Sequence, residues 1–270
     1  MPDLNRRTLL PLPLAAGLLG LAPALLHARP PLPARAESPL VGTDPLLIST
    51  GLTAGWEAAM RQDLGWAARW QAMDTGTVLA QLEQGQIDAG LFLQHPKADQ
   101  LEHQGLIYNR QTIARTDVLL VGPVEDVAGI RGETDAGRAL RQVLAACAAG
   151  VAQWQPAESG SALALLADTL SQGLASKPLR PAATAAPRAP AAAYRLITQA
   201  QWLRRPNQGE ALKVWLSGPP HLRLAAQVAC SYRSRHTGNK FLVSWLQGPV
   251  AQSTIRRAGK GWQTLADSKG

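Results

Sequence analysis

Three apolar stretches of this 270-residue chain each run into a loop of hydroxyl and glycine residues that opens an apolar-patterned helix. The loops lie around Ser49-Thr50, Thr75-Gly76-Thr77 and Ser159-Gly160-Ser161. Alternation of short strands and helices favours an α/β fold with a largely parallel sheet. In open sheets of this kind, ligands bind at the carboxyl ends of the strands, where such loops lie. The sequence therefore predicts an α/β protein with a ligand site built from three loops.

The apolar periodicity gives the expected order of elements. We expect strands at Leu46–Ser49, Arg69–Met73, Ile87–Leu93, Thr116–Val121, Val151–Gln155, Tyr194–Thr198, Ala211–Leu216 and Leu222–Ser231. We expect helices at Gly55–Leu64, Val78–Gln84, Thr134–Ala148, Ser161–Leu174, Thr198–Leu203, Gly238–Gln247 and Gly248–Ala258. The Ala/Pro-rich stretch 176–193 contains four prolines, which fit neither a regular helix nor a central strand, and we expect a loop there.

The N-terminus has the pattern of a targeting segment. A twin-arginine pattern, Asn5-Arg6-Arg7-Thr8-Leu9-Leu10, precedes the apolar run 12–26, as in signal peptides of the twin-arginine export route. A membrane-anchoring helix is the alternative, but the run is short for a span and contains prolines. Cleavage after Ala36, with Ala28 as a second choice, would remove a signal peptide of residues 1–36 and leave a flexible lead-in at 37–44. We therefore expect a periplasmic location.

The charge of the chain narrows the class of partner. The formal net charge is +8, and loss of four arginines and one aspartate with residues 1–36 leaves +5. A mild, dispersed positive charge suits small anions or an anionic membrane surface. The sequence has no dense Lys/Arg run with interleaved aromatic residues, so we do not expect nucleic-acid binding.

The chain has two cysteines, Cys147 and Cys230, both in apolar stretches. Such positions favour buried thiols, although export leaves a disulfide open as the alternative. Neither a CxxC motif nor a Cys/His cluster at metal-ligand spacing occurs, so we expect no metal site.

The three loops offer hydrogen-bond donors that can bind an anion. A helix N-terminus has unpaired N–H groups and a partial positive charge, and Ser and Thr hydroxyls add donors that can rotate. Ordinary helix capping is the alternative role for the same residues. The candidate ligand-binding residues are Ser49, Thr50, Thr75, Thr77, Ser159 and Ser161. Trp154 and Gln155 precede the third loop and are candidates for the cleft wall.

The chain also resembles a known family in the order and spacing of several motifs. The stretch 85–132 carries Asp88, then His95-Pro96-Lys97-Ala98, then Asn109-Arg110, then Gly122-Pro123, and finally Asp126 with Ala128-Gly129-Ile130. In these residues, and more loosely from Leu46 to Trp262, the chain is similar to the substrate-binding proteins of tungstate and molybdate ABC transporters.

This resemblance implies a type II periplasmic binding protein with two α/β lobes that close on a tetrahedral oxyanion. Lobe 1 would comprise residues 45–121 and 223–270, and lobe 2 residues 122–222. The implied function is capture of tungstate, or molybdate, by a monomer that delivers it to an inner-membrane ABC permease, without a cofactor or catalysis. A diverged sensory or interaction module, a different small anion and an exported enzyme are the alternatives.

The chain departs from the family at the third loop. The family has an arginine three residues before the acidic position of its Asp-Ser-Gly-Thr motif, and this chain has Gln155 there, before Glu158-Ser159-Gly160-Ser161. Loss of a charge-assisted donor costs about 1.5–3 kcal/mol of anion binding. The resemblance therefore implies an oxyanion cleft more firmly than it implies tungstate.

Overall fold

The structure, a computed structural model, describes residues 38–172, 175, 193–205, 212–218 and 222–267, which all belong to one compact unit. The strands are β1 (Leu40–Thr43), β2 (Arg69–Ala72), β3 (Ala89–Leu93), β4 (Ile107–Pro123), β5 (Arg195–Thr198), β6 (Leu212–Ser217) and β7 (Arg223–Ser231). The helices are α1 (Pro45–Ser49), α2 (Leu52–Leu64), α3 (Thr75–Gln84), α4 (Pro96–His103), α5 (Ala136–Ala148), α6 (Ala162–Ser171), α7 (Gln199–Trp202), α8 (Gly238–Gln247) and α9 (Pro249–Ala258). The predicted signal peptide and nearly all of the Ala/Pro-rich stretch lie outside the described residues.

The strands are hydrogen-bonded in the order β2-β1-β3-β7-β4-β5, and β6 also pairs with β4. β1 runs parallel to both β2 and β3, whereas the β3–β7 and β4–β7 pairs are antiparallel. The long strand β4 pairs with β7 up to Asp117, and from Val118 onward it pairs with β5 and β6. The sheet is therefore mixed, and the parallel part that the sequence predicts is confined to β1, β2 and β3.

The helices bury apolar faces against the sheet. Trp56 and Met60 of α2 are fully buried, and the Trp56 indole N–H donates to the carbonyl of Ala251 in α9 at 3.2 Å. Gly90 in β3 permits close packing of α3, because a Cβ there would lie 2.5 Å from Val78 and 2.8 Å from Leu82. A tight core thus fixes α3, and with it the loop that precedes α3.

Most predicted elements are confirmed with bounds shifted by a few residues, but two predicted strands are wrong. Strand β4 begins nine residues before the predicted Thr116–Val121, and helix α4 was not predicted. Leu46–Ser49 lies in helix α1, because the Asp44 carboxylate caps the helix and Pro45 occupies its first turn. The first strand is instead β1, inside the stretch 37–44 expected as a flexible lead-in. In Val151–Gln155, only an isolated bridge forms, between Trp154 and Tyr194.

The predicted border between the two lobes, at residue 121, falls inside β4, four residues after Asp117, the last β4 residue that pairs with β7. The division into lobes stays a prediction. None of the helices in the described part of the chain has the length and apolar character that a bilayer crossing requires.

Candidate functional site

One wall of a pocket lies where the three parallel strands end. Asp44 follows β1, Asp74 follows β2, and Leu93 is the last residue of β3. All three line the pocket together with Pro45, Leu46 and Ser49 from α1. The pocket is therefore at the carboxyl edge of the strands, where open α/β sheets place their ligands.

The opposite wall comes from later parts of the chain. It comprises residues 155–158 and 161–163, residues 195–197 of β5, Gln201 of α7, and Arg205. The enclosed volume is about 550 Å³, which is within the usual range of small-molecule sites.

Of the two hydroxyl residues predicted in the first loop, Ser49 lines the pocket and Thr50 does not. Ser49 lines the pocket, and its hydroxyl donates to the Leu46 carbonyl at 3.3 Å. The Thr50 side chain is only 1% exposed; its hydroxyl donates to the same carbonyl at 2.6 Å and accepts from the Trp262 indole N–H at 2.9 Å. Thr50 is outside the pocket lining, and its hydroxyl joins α1 to the C-terminal segment.

The hydroxyl groups of the second loop form hydrogen bonds with residues of the pocket wall. Thr75 is fully buried; its hydroxyl donates to Asp44 Oδ2 at 2.7 Å and accepts from the Leu93 N–H at 3.1 Å. Thr77 is exposed, and its hydroxyl and N–H both donate to the Asp74 carboxylate, the N-cap of α3. Both threonines lie outside the pocket lining, and both hydroxyls are donors to aspartates that line it.

The third loop brings Ser161 and Gln155 to the pocket. Ser161 is the N-cap of α6, and its hydroxyl accepts from the Ala164 N–H at 3.2 Å. Ser159 is exposed and outside the lining. Trp154 also lies outside the lining, and its half-buried ring packs against the main core. Of the two candidates for the cleft wall, only Gln155 therefore lines the pocket.

A guanidinium lies against Gln155, the residue at which the third loop departs from the motif that it resembles. Arg195 Nη1 donates to Gln155 Oε1 at 2.6 Å, and Arg195 itself lines the pocket. Arg205 is the second cation of the lining, with its guanidinium 5.8 Å from the centre of the Trp202 ring. The pocket thus has positive charge on the wall that carries the third loop.

Carboxyl groups lie on both walls. Asp44 is 7% exposed, and burial raises its pKa even though hydrogen bonds from Thr75 and Leu46 favour the ionised form. Asp74 is exposed, and the hydrogen bonds from the Thr77 side chain and backbone lower its pKa. Glu158 adds a third carboxyl group. The lining therefore combines two guanidinium groups with three carboxyl groups.

Other candidate residues from the sequence lie elsewhere. Arg110, in the family-like Asn-Arg segment, forms ion pairs with Asp99 and Glu102 of α4, each at 2.7 Å. The thiols of Cys147 and Cys230 are buried and unbonded to each other, and burial raises their pKa to about 11 and about 12, respectively. Among the described residues, no cluster of His, Cys, Asp and Glu could hold a metal ion.

The predicted site residues include none of the five charged residues of the lining, and Glu158 entered the prediction only as part of the third-loop motif. Asp44 and Asp74 each stand directly before a helix, so the N-cap pattern could have placed them at the strand ends. Arg195 and Arg205 carry no local signal, because Arg195 meets Gln155 only through the pairing of segments 40 residues apart.

Comparison with known proteins shows which protein family the chain matches. A family model described as bacterial extracellular solute-binding protein matches residues 57–260, about three quarters of the chain. No curated protein matches the chain significantly in sequence.

Several solved structures share the fold. The tungstate-binding protein TupA from Desulfovibrio alaskensis G20 gives a TM-score of 0.68 at 18% identity, over 85% of this chain and 99% of that one. The tungstate ABC transporter structure from Geobacter sulfurreducens gives 0.65 at 18% identity, over 82% and 98%. The periplasmic molybdate-binding protein of Azotobacter vinelandii gives 0.51 at 16% identity, over 82% and 98%. At these identities the likeness shows the fold, which is the predicted α/β fold of periplasmic binding proteins.

Proposed function

Because this chain belongs to the bacterial extracellular solute-binding protein family, we propose that it captures a small tetrahedral oxyanion in the pocket described above and delivers it to an ABC importer. Tungstate and molybdate are the first anions to test, since the sequence resembles that branch of binding proteins and structures of similar fold carry those names. The observation that best supports an anion is the position of Arg195.

Arg195 offers a charged donor at the place where the family's own arginine is replaced. Its Nη1 atom lies 2.6 Å from Gln155 Oε1, so the Gln155 side chain orients the guanidinium. Ser161 lines the same wall and begins α6, whose first N–H groups and partial positive charge add to the attraction for an anion. The charge lost from the third loop is thus resupplied by β5.

The proposed ligand contacts differ from the six residues that the sequence predicts. We assign direct contacts to Ser49, Ser161, Gln155 and Arg195, which line the pocket. In this proposal Thr50, Thr75 and Thr77 support the site, because their hydroxyls already bond protein groups. Ser159 is exposed outside the lining and receives no role.

The proposed mechanism is capture by closure. A pocket of about 550 Å³ is larger than one tetrahedral anion, so approach of its two walls would enclose the ligand. The walls would belong to two lobes joined through β4 and β7. The protein would act as a monomer in the periplasm after twin-arginine export, and it would bind and release its solute without catalysis.

A calorimetric titration of the protein lacking residues 1–36 tests this proposal. We expect at least one of tungstate, molybdate, sulfate and phosphate to bind, and Arg195→Ala to weaken binding about tenfold to hundredfold, the loss of one charge-assisted hydrogen bond. Arg61→Ala is the matched control: it removes one positive charge from an exposed pair with Glu57, away from the pocket.

Two outcomes would reject the proposal. One is the absence of binding for all four anions at millimolar concentration. The other is an equal loss of affinity in Arg195→Ala and Arg61→Ala, which would indicate only a long-range charge effect.

A further inference from the structure

The carboxyl groups of the pocket are unexpected in a site for anions. Asp44, Asp74 and Glu158 line the same cavity as Arg195 and Arg205. A carboxylate beside a bound anion is unfavourable unless a hydrogen lies between the two oxygens. A ligand beside these carboxylates must therefore carry a hydrogen of its own.

Asp44 is the carboxyl group that the fold holds most firmly at the wall. Its Oδ1 accepts from the Leu46 N–H at 2.9 Å, and its Oδ2 accepts from the Thr75 hydroxyl at 2.7 Å. The Thr75 hydroxyl in turn accepts from the Leu93 N–H at 3.1 Å. Asp44 is 7% exposed, so it cannot swing out of the pocket into solvent when a ligand enters.

The Asp44 carboxylate still has room for a further donor. Each carboxylate oxygen has two acceptor positions, and the Leu46 N–H, the Thr75 hydroxyl and the Thr75 backbone N–H together take three of the four. A ligand hydroxyl could fill the remaining position in a short, charge-assisted hydrogen bond. An anion with no proton would bring only lone pairs to the same place, and the site would lose that bond and gain repulsion.

Oxyanions differ in whether they carry a proton at neutral pH. Inorganic phosphate and arsenate keep at least one proton at neutral pH, whereas sulfate, molybdate and tungstate are fully deprotonated dianions there. Arg195 and the N-terminus of α6 can hold the ionised oxygens of either group. Only the first group also has a donor for Asp44.

We propose that Asp44 makes the pocket selective for tetrahedral oxyanions that retain a proton, of the phosphate and arsenate class, over fully ionised ones. This inference rests on the proposed function and narrows its substrate class. It places tungstate and molybdate among the weaker ligands of this chain.

Competition calorimetry on the protein lacking residues 1–36 tests the selectivity directly. At neutral pH, we expect phosphate and arsenate to bind at least about tenfold more tightly than sulfate, molybdate and tungstate, the factor expected for one hydrogen bond to a charged group. This measurement needs no variant, so it stands even where a substitution impairs folding.

The Asp44→Asn variant identifies the residue responsible. Its amide has nearly the shape of the carboxylate and provides a donor, so we expect sulfate and tungstate to gain affinity and the preference for phosphate to fall at least about tenfold. Asp74→Asn is the matched control: it neutralises an exposed carboxylate of the same lining and should shift all five affinities by a similar factor, leaving their ratio unchanged.

The outcomes separate this inference from the proposed function. Equal binding of tungstate and phosphate by the native protein, or an unchanged ratio in Asp44→Asn, would overturn the role of Asp44 while leaving oxyanion capture intact. Failure of all five anions to bind would overturn both.

Discussion

The Thr50→Val substitution separates a structural hydroxyl from a ligand-binding one. Thr50 is 1% exposed, and its hydroxyl accepts from the Trp262 indole N–H at 2.9 Å. Valine has nearly the same volume but no acceptor, so the indole N–H of Trp262, a residue 6% exposed, loses its partner. The Leu46 carbonyl keeps its bond from the Thr50 backbone N–H at 3.0 Å. The substitution therefore leaves one buried donor, the Trp262 indole N–H, without a hydrogen-bond partner.

The expected loss of stability in Thr50→Val follows from that single unpaired donor. An unsatisfied buried N–H costs about 1–3 kcal/mol, and a loss of about 2 kcal/mol lowers Tm by about 4–8 °C in a domain of this size. Thr50→Ser keeps the hydroxyl and loses one buried methyl group, so it should cost about 1 kcal/mol. Urea denaturation gives both free energies of unfolding, and calorimetry gives the oxyanion affinity of each folded variant.

We expect Thr50→Val to be the less stable of the two variants, with an affinity within about twofold of the native value, because Thr50 is outside the pocket lining. The reasoning is refuted if Thr50→Val unfolds at the same urea concentration as Thr50→Ser. It is equally refuted if affinity falls tenfold while stability is unchanged.

Three further predictions concern residues outside the pocket. Arg110→Ala removes a guanidinium that pairs with two carboxylates of α4, and we expect urea denaturation to show a loss of about 1 kcal/mol, since those carboxylates are largely exposed; native stability in the variant would contradict this. The neutral His95 ring caps α4, and burial, aided by a nearby lysine, lowers its pKa from 6.5. Its contribution is thus complete above pH 6.5 and is lost as pH falls through the lower folded value. Native protein should lose more stability on acidification than His95→Asn, and identical pH profiles would contradict the capping role. Finally, because burial raises the pKa of Cys147 and Cys230, mass spectrometry should find iodoacetamide on both only after denaturation, and rapid labelling of native protein would contradict their burial.

Helices with clear ends could be predicted well from the sequence. α3 ends where Gly85 adopts a positive φ of 75°, and α2 ends likewise at Gly65 with φ 66°. Glycine at this position is a local signal that needs no tertiary information. The long apolar run of β7 was equally readable, because both faces of that strand are mostly buried.

The short run Leu46–Ser49 shows why periodicity alone fails. Four apolar or small residues fit a buried strand and a turn of helix equally well. The decision lies with the preceding Asp44-Pro45 pair, a cap followed by a residue suited to the first helical turn. The Asp44-Pro45 pair thus marks the start of α1 and leaves Leu40–Thr43 as the first strand.

The pocket lies at the strand ends, where the sequence predicts the ligand site, but its charged residues were not predicted. Loops after parallel strands do form one wall, which Ser49 lines, and Ser161 lines the opposite wall. However, the buried hydroxyls of Thr50 and Thr75 bond protein groups, a difference that depends on burial and is invisible in the sequence. The pairing of Arg195 with Gln155 depends on tertiary structure in the same way.

The most direct test of oxyanion capture is a crystal structure of the protein with tungstate or arsenate, whichever binds more tightly in calorimetry, measured at an X-ray energy where the heavy atom scatters anomalously. The account predicts one strong anomalous peak in the pocket, within hydrogen-bonding reach of Arg195 and Ser161 through the anion's oxygens. A peak elsewhere on the molecule, or an empty pocket at saturating anion, would contradict it.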